Sequence, residues 1–145
     1  MIWPEPVERI ASFLRDSQAQ GRIEELPPGV DTPPGPAARA AGFECDGRML
    51  VALVPADRAI EQSRLARSCG CSNLRPAASP PFPFQGARVI AERSLLALAT
   101  VWLEAGSPRH VVGLPADQLL RLTRAETGLF LVQDQAGDSE DRVPG

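Results

Sequence analysis

The fold of this chain is decided by the stretch from Pro80 to Glu126, PPFPFQGARVIAERSLLALATVWLEAGSPRHVVGLPADQLLRLTRAE. It opens with a proline-rich turn, and its apolar spacing then predicts a strand, a short helix and a second strand. A tight Ala-Gly-Ser-Pro loop, a third strand and a closing helix complete the stretch. The predicted elements are the strand Ala87–Ala91, the helix Arg93–Ala99, the strands Val101–Glu104 and Arg109–Leu114, and the helix Ala116–Arg124.

The region before this stretch carries the signature of a β-hairpin. Asp46-Gly47 is a favoured two-residue turn because both of its residues must adopt a positive φ. It separates the segment Ala38–Cys45 from the segment Arg48–Val54, whose nearly continuous apolar sequence is typical of a strand buried on both faces. We therefore predict two antiparallel strands. The side chains expected to be buried in the second strand include Leu50, Ala52 and Val54.

The flanking segments predict further short elements. Apolar residues recur at helical spacing from Val7 to Leu14, and prolines and glycines make Pro27–Pro36 an irregular surface loop. Strands are predicted over Arg22–Leu26 and Asn73–Ala77, and a helix over Arg58–Ser68 with Asp57 as its N-cap.

Taken together, the elements predict one α+β domain over residues 1–133, built on a mixed, strongly curved sheet. The polar, acidic segment 134–145 is predicted to be a flexible tail.

Composition excludes several classes of function. The chain has no apolar run long enough to span a membrane and no recognisable signal peptide, so we expect a soluble, cytoplasmic protein. Its positive charges are all arginine, which excludes Schiff-base chemistry and a lysine general base. The net charge of −3 argues against general electrostatic binding of DNA.

Metal and redox functions are not supported by the cysteine and histidine content. The three cysteines are Cys45, Cys69 and Cys71, and the last two form a C-x-C pair without a second pair to complete a zinc site. His110 is the single histidine. We expect Cys45 to be a small buried thiol, and we expect no metal and no cofactor.

Arginines are concentrated in the middle of the chain. Two interpretations remain open for them, a solvated helix face or a rim that contacts phosphates, which would suit an RNA acceptor stem better than duplex DNA. The residues are Arg58, Arg64, Arg67 and Arg75, preceded by Arg39 and Arg48.

The order and spacing of these elements resemble the YbaK/ProX family, the free-standing aminoacyl-tRNA editing domains related to an insertion in bacterial prolyl-tRNA synthetases. The likeness spans about residues 22–127 and is strongest over LVALVPADR (Leu50–Arg58) and over the stretch from Pro80 to Glu126. It implies a partly closed, barrel-like sheet wrapped by helices. It also implies hydrolysis of mischarged aminoacyl-tRNA, with the tRNA acceptor end and a synthetase as partners and no membrane.

The resemblance implies a candidate catalytic residue on the first arm of the hairpin. Family members carry a lysine there, in a pattern like K-[TS]-L-V-F, and the matching window Arg39–Phe43 puts Arg39 at the lysine position. A guanidinium suits a phosphate better than it suits the role of a compact ammonium. An alternative register remains open, because Ala37–Gly42 also resembles the end of the helix that precedes this strand in the family. A helix there would remove the assignment of Arg39.

Two loops supply the other implied site residues. The family's Gly-Gly-x-x-P-[FLV]-G loop is matched at its end by Ser79, Pro80, Pro81 and Phe82, but both glycines are absent. The family's glycine loop between the last strands is matched by Ala105–Pro108, which retains Gly106 as a second candidate catalytic position and adds Ser107 as a contact. His110 follows this loop and is a candidate for substrate binding, with a structural, partly buried histidine as the alternative.

Two functions from different classes therefore remain. The first is trans-editing deacylation of mischarged aminoacyl-tRNA, with backbone amides polarising the ester. The second is a catalytically decayed editing fold that binds tRNA ends, nucleotides or a protein partner.

Overall fold

The computed structural model of this protein describes residues 3–133. The described chain forms three α-helices, a short 3-10 helix and eight strands. In chain order these are α1 (Glu5–Asp16), β1 (Arg22–Glu25), β2 (Ala38–Cys45), β3 (Arg48–Pro55), α2 (Gln62–Cys69), β4 (Leu74–Ala77), β5 (Arg88–Glu92), the 3-10 helix Arg93–Ala97, β6 (Val101–Ser107), β7 (His110–Leu114), α3 (Ala116–Thr123) and β8 (Glu126–Gly128). The tail predicted over 134–145 lies outside the described residues.

The strands form two sheets, so the fold is α+β, as predicted. One sheet has the order β1-β7-β6 and is antiparallel, while the other has the order β4-β2-β3-β5-β8 and mixes antiparallel with parallel pairs. Neither sheet closes on itself, and the prediction of a single, strongly curved, barrel-like sheet is therefore wrong. The chain passes between the two sheets three times, through residues 26–37, 93–100 and 115–125, so consecutive strands at these points belong to different sheets.

The β-hairpin at the centre of the larger sheet is confirmed. Strands β2 and β3 are antiparallel around the Asp46-Gly47 turn, in which both residues have a positive φ. Leu50, Ala52 and Val54 are fully buried. Ala38–Gly42 is a strand and not a helix, which excludes the helical alternative left open by the sequence.

Strand β3 is buried on both faces because a separate apolar layer covers each of them. Val51 and Leu53 face the layer that also contains β6, β7, α1 and α3. Leu50, Ala52 and Val54 face the layer formed by α2 and the C-terminal segment. This explains why polar residues do not alternate with apolar ones along β3.

The start of α2 differs from the prediction because a distant segment pairs with the residues before it. The helix begins at Gln62 and not at Arg58, and Asp57 makes no cap to it. Residues 59–61 instead form an antiparallel bridge with the C-terminal segment, in which Ile60 pairs with Leu131. The amides of Glu61 and Val132 donate across this bridge, at 2.9 and 2.8 Å.

This C-terminal segment (residues 129–132) is held by side chains as well. Phe130 is fully buried against α2. Arg64 donates to the carbonyl of Leu131 at 3.2 Å, and Arg58 donates to that of Val132 at 3.4 Å. Phe130 and Leu131 thus anchor the segment in the core, while Leu129 and Val132 stay exposed.

Strand β8 was not predicted. It lies parallel to β5, where Arg88 makes two 2.9 Å hydrogen bonds to the Glu126 carboxylate. These bonds hold the pKa of the Glu126 carboxyl below its usual value.

The expectation of a free thiol at Cys45 is wrong. Cys45, at the end of β2, forms a disulfide with Cys71, which follows α2. The hairpin turn brings the two residues together, because the Asp46 carboxylate accepts hydrogen bonds from the amides of Ser72 and Asn73. Only the tertiary structure could identify which of the three cysteines form the pair.

No helix within residues 3–133 is long and apolar enough to cross a membrane.

Candidate functional site

The two sheets meet at one corner, and the candidate site lies where they separate. Ala37 and Trp102 form an isolated parallel bridge, and the Trp102 amide donates to the Pro36 carbonyl at 3.0 Å. Beyond this point β2 continues beside β3, and β6 continues beside β7. Strand β4 pairs with β2 only from Gly42 onwards. Residues 38–41 of β2 therefore have a free edge that faces β6.

A cleft of about 410 Å³ occupies this separation between the sheets. Its lining combines small and aromatic side chains with two charged residues of opposite sign. The lining residues are Ala38, Arg39, Ala40, Ser79, Pro80, Pro81, Phe82, Phe84, Leu103, Glu104 and Gly106. Arg39, Ser79, Pro80, Pro81, Phe82 and Gly106, which lie far apart in sequence, are thus brought to one concave surface.

The loop 78–84 crosses the end of the cleft and is fixed at both of its ends. Phe82 and Phe84 are buried and contact each other edge to face, with ring centroids 5.7 Å apart, while Phe82 makes a similar contact with Phe13 of α1. At the other end the loop passes directly over Gly42. A Cβ atom at residue 42 would lie 2.7 Å from the Ser79 amide nitrogen, so only glycine allows this crossing.

Gly42→Ala is expected to push the loop away from β2 and to open the cleft at Ser79. The contacts of the added methyl group are with backbone atoms, which cannot rotate away, so we expect a loss of about 1–3 kcal/mol in the free energy of unfolding. Urea denaturation would measure it. Gly47→Ala is the control with no steric contact, although its positive φ carries its own smaller cost. A Gly42→Ala variant as stable as the wild type would contradict the close crossing.

Arg39 lies on the edge strand of the cleft, but its guanidinium is already engaged. It donates to the Arg58 carbonyl oxygen at 3.0 Å, across the hairpin end. The side chain is nevertheless exposed and makes no ion pair with any described residue. Its acceptor is a neutral carbonyl, whereas a phosphate would offer an opposite charge and a bidentate contact, so a phosphate could displace it.

Glu104 is the charged cleft residue that the sequence interpretation missed. It belongs to β6, is exposed, and makes neither a hydrogen bond nor an ion pair within residues 3–133. Arg39 on β2 and Glu104 on β6 each lie two residues beyond the Ala37–Trp102 bridge, where the strands separate, and both line the cleft. The sequence signal was a lone carboxylate in the otherwise apolar strand VWLEA.

The sequence placed Gly106 in a tight loop between two strands. In the structure it lies instead in a bulge within β6. The ladder with β7 is irregular between Glu104 and Ser107, and the turn itself is formed by residues 108–109. Gly106 has a φ of +89°, and a Cβ there would lie 2.9 Å from the Pro6 carbonyl carbon. Its retention is therefore explained by the packing of α1, whatever its part in chemistry.

Ser107 and His110 are adjacent to the cleft but are not among its lining residues. Ser107 Oγ lies 2.8 Å from His110 Nδ1 and also accepts a hydrogen bond from the Arg109 amide. His110 is buried, with Trp3 edge-on at 6.0 Å, and its Nε2 has no hydrogen-bond partner in the described structure. The pair stabilises the β6–β7 turn, and its role in binding stays a prediction.

The arginines predicted as a possible phosphate rim are mostly committed to intramolecular contacts. Arg58 and Arg64 hold the C-terminal segment, and Arg75 pairs with Glu44 at 2.7 Å. These contacts argue against a phosphate rim for three of the four residues, and a helix face does not describe the set either, because Arg58 and Arg75 lie outside α2.

Comparison with solved structures shows the fold. A structure described as "a putative trans-editing enzyme for prolyl tRNA synthetase" superposes with a TM-score of 0.77 at 18% identity, over 91% of this chain and 100% of that one. A computationally designed epitope scaffold gives a TM-score of 0.78 at 17% identity, over 91% and 100% of the two chains. A protein described as hypothetical gives 0.74 at 12% identity, over 86% and 99%.

Comparisons by sequence give no match. No protein-family model and no curated protein matches the chain. The similarity therefore shows that this chain shares its fold with these structures, and sequence does not show membership of the YbaK/ProX family.

Proposed function

We propose that this protein is a trans-editing deacylase that hydrolyses the ester of mischarged aminoacyl-tRNA in the cleft between β2 and β6. The observation that carries the proposal is the convergence of Arg39, the loop 79–82 and Gly106 on one cleft in a fold similar to that of the trans-editing structure. The tRNA acceptor end is the proposed partner, and the cytoplasm is the proposed compartment.

The size and lining of the cleft suit a small aminoacyl group. A cavity of about 410 Å³ that is narrowed by Phe82 and Phe84 accommodates a short side chain and the terminal ribose. Ala38, Ala40 and Leu103 offer apolar contacts and no dedicated polar partner for a side chain. Alanine, serine and cysteine are therefore the substrates to test first. Editing of this type supplements a synthetase, which discriminates one methylene by only about 1–3 kcal/mol.

The chemistry rests on backbone groups and on the substrate. A water molecule attacks the ester carbonyl carbon, the bond from that carbon to the ribose oxygen breaks, and the ribose oxygen takes up a proton. Alternate amides of β2 point away from β3, so the Ala40 amide on the edge left unpaired by β4 is the one that would polarise the carbonyl. The neighbouring ribose hydroxyl orients the attacking water.

Arg39 is assigned to the phosphate of the acceptor end, and its substitutions test this role. Arg39→Ala is expected to weaken tRNA binding by about 1.5–3 kcal/mol, because it removes a charged hydrogen bond. Arg39→Lys keeps the charge but loses the two-pronged contact, so binding weakens modestly and turnover stays nearly intact. Single-turnover hydrolysis and equilibrium binding would be measured with tRNAs mischarged with Ala, Ser and Cys.

A second arginine of the hairpin provides the control for the Arg39 substitutions. Arg48→Ala, an exposed arginine at the far end of the same hairpin, is the matched control for charge. Hydrolysis absent in the wild type and in both Arg39 variants, with equal tRNA affinity in all three, would contradict an editing function centred on Arg39.

The second candidate is a catalytically decayed editing fold that retains binding. It is favoured by the contact of Arg39 with the Arg58 carbonyl and by the absence of the lysine and the paired glycines of the family pattern. It predicts binding of the acceptor end without hydrolysis. In that case Arg39→Lys would restore activity, because it returns a compact ammonium to the strand.

A further inference from the structure

The strongest unexplained feature of the cleft is the pair of opposite charges on its two edges. Arg39 lies on β2 and Glu104 on β6, the two strands that separate beyond the Ala37–Trp102 bridge to form the cleft. They line the same cleft but make no salt bridge with each other, since no contact within 4.0 Å joins them. A carboxylate and a guanidinium on the two strands that line one cleft are complementary to a ligand with a cation at one end and an anion at the other.

We propose that Glu104 binds the α-ammonium of the aminoacyl group and thereby restricts the site to esters of unblocked amino acids. This inference rests on the proposed function and deepens it. An aminoacyl-adenosine end carries an ammonium on the amino acid and a phosphate on the nucleotide. With its phosphate near Arg39, its ammonium is placed at Glu104, on the opposite edge of the cleft.

The surroundings of Glu104 favour a cationic partner. The cleft is continuous at Pro80–Phe82 and Gly106 with a groove of about 580 Å³ along α1. That groove carries three carboxylates and one arginine, and the arginine already pairs with one of the carboxylates at 3.0 Å. These residues are Glu5, Glu8 and Asp16, with Arg9 paired to Glu5. The local excess of negative charge attracts an ammonium and repels a blocked, neutral or anionic amino acid.

Glu104 also lacks the contacts of a structural carboxylate. Some exposed carboxylates of this protein are held by arginine, as Glu126 is by Arg88 and Glu44 by Arg75. Glu104 has no such partner in residues 3–133, and its strand is already held by β7 and by the buried side chains of Leu103 and Ala105. Its replacement should therefore leave the fold intact.

Binding of paired amide analogues tests the inference without hydrolysis. The probes are 3′-aminoacylamino-3′-deoxyadenosine 5′-phosphates carrying Ala, Ser or Cys, each with a free amine or with an N-acetyl group. We expect the wild type to bind the free amine at least tenfold more tightly than the acetylated probe. Glu104→Gln should reduce this preference to less than threefold. Glu25→Gln, a charge-matched change in β1 two strands away, should retain it.

The outcomes separate this inference from the proposed function. Equal affinity for the free and acetylated probes in the wild type, no binding of either probe, or an unchanged preference in Glu104→Gln would each overturn the role of Glu104. An unaltered melting temperature in Glu104→Gln excludes unfolding as the cause of a lost preference. Amine-selective binding without deacylation would support Glu104 and contradict the deacylase. Deacylation that is indifferent to N-acetylation would support the deacylase and contradict Glu104.

Discussion

Phe130→Ala is expected to lower the free energy of unfolding by about 3–5 kcal/mol, the usual cost of removing a buried aromatic side chain from a core. Phe130 is fully buried between α2 and the outer face of β3, where it packs with Leu50, Val54 and Leu65. The loss should also release the C-terminal segment. The amides of Glu61 and Val132 should then exchange with solvent much faster than in the wild type.

Leu129→Ala is the matched control, because Leu129 is the neighbouring apolar residue but is 51% exposed. It should change stability by well under about 1 kcal/mol. Chemical denaturation and amide exchange would be measured on all three proteins. Equal stability of Phe130→Ala and Leu129→Ala would contradict the placement of the C-terminal segment in the core.

The second large effect is expected from removal of the disulfide between Cys45 and Cys71. The bond closes a loop with a sequence separation of 26 residues, and the chain-entropy relation gives a stabilisation of about 3–4 kcal/mol at 25 °C. The double variant Cys45→Ser/Cys71→Ser should lose this stability and become insensitive to reductant. The wild type should be destabilised by reductant to a similar extent.

Cys69 provides an internal check on this assignment. It is buried, and burial raises the pKa of its thiol, so it reacts slowly with alkylating reagents in the folded state. Alkylation of the unreduced, denatured protein should label Cys69 alone. Labelling of Cys45 or Cys71 before reduction would contradict the disulfide, and so would wild-type stability that is unaffected by reductant.

The parts of the fold that the sequence predicted correctly depend on neighbours in the chain. The Asp46-Gly47 turn requires a backbone that those two residues adopt readily, and the apolar arm Arg48–Val54 must be covered on both sides. The helix α1 follows from apolar spacing in the same way. Local backbone preferences and hydrophobic periodicity are sufficient to predict such elements from the sequence.

The candidate site was predictable only in part. The resemblance gave Arg39, the loop 79–82 and Gly106, and the structure brings them to one cleft. Glu104 was missed because a single carboxylate in a strand carries no signal of its partner. The cleft that it shares with Arg39 forms beyond the bridge between Ala37 and Trp102, two residues that lie far apart in the chain.

The sequence by itself determined the α+β class, the central hairpin and the absence of lysine chemistry, because these depend on residue type and on short-range spacing. Only the tertiary structure decided the division into two sheets, the late start of α2, the Cys45–Cys71 pair and the charged edges of the cleft. Each of these results from contacts between residues far apart in the chain. Such contacts depend on which segments can be buried together, and no local pattern records that choice.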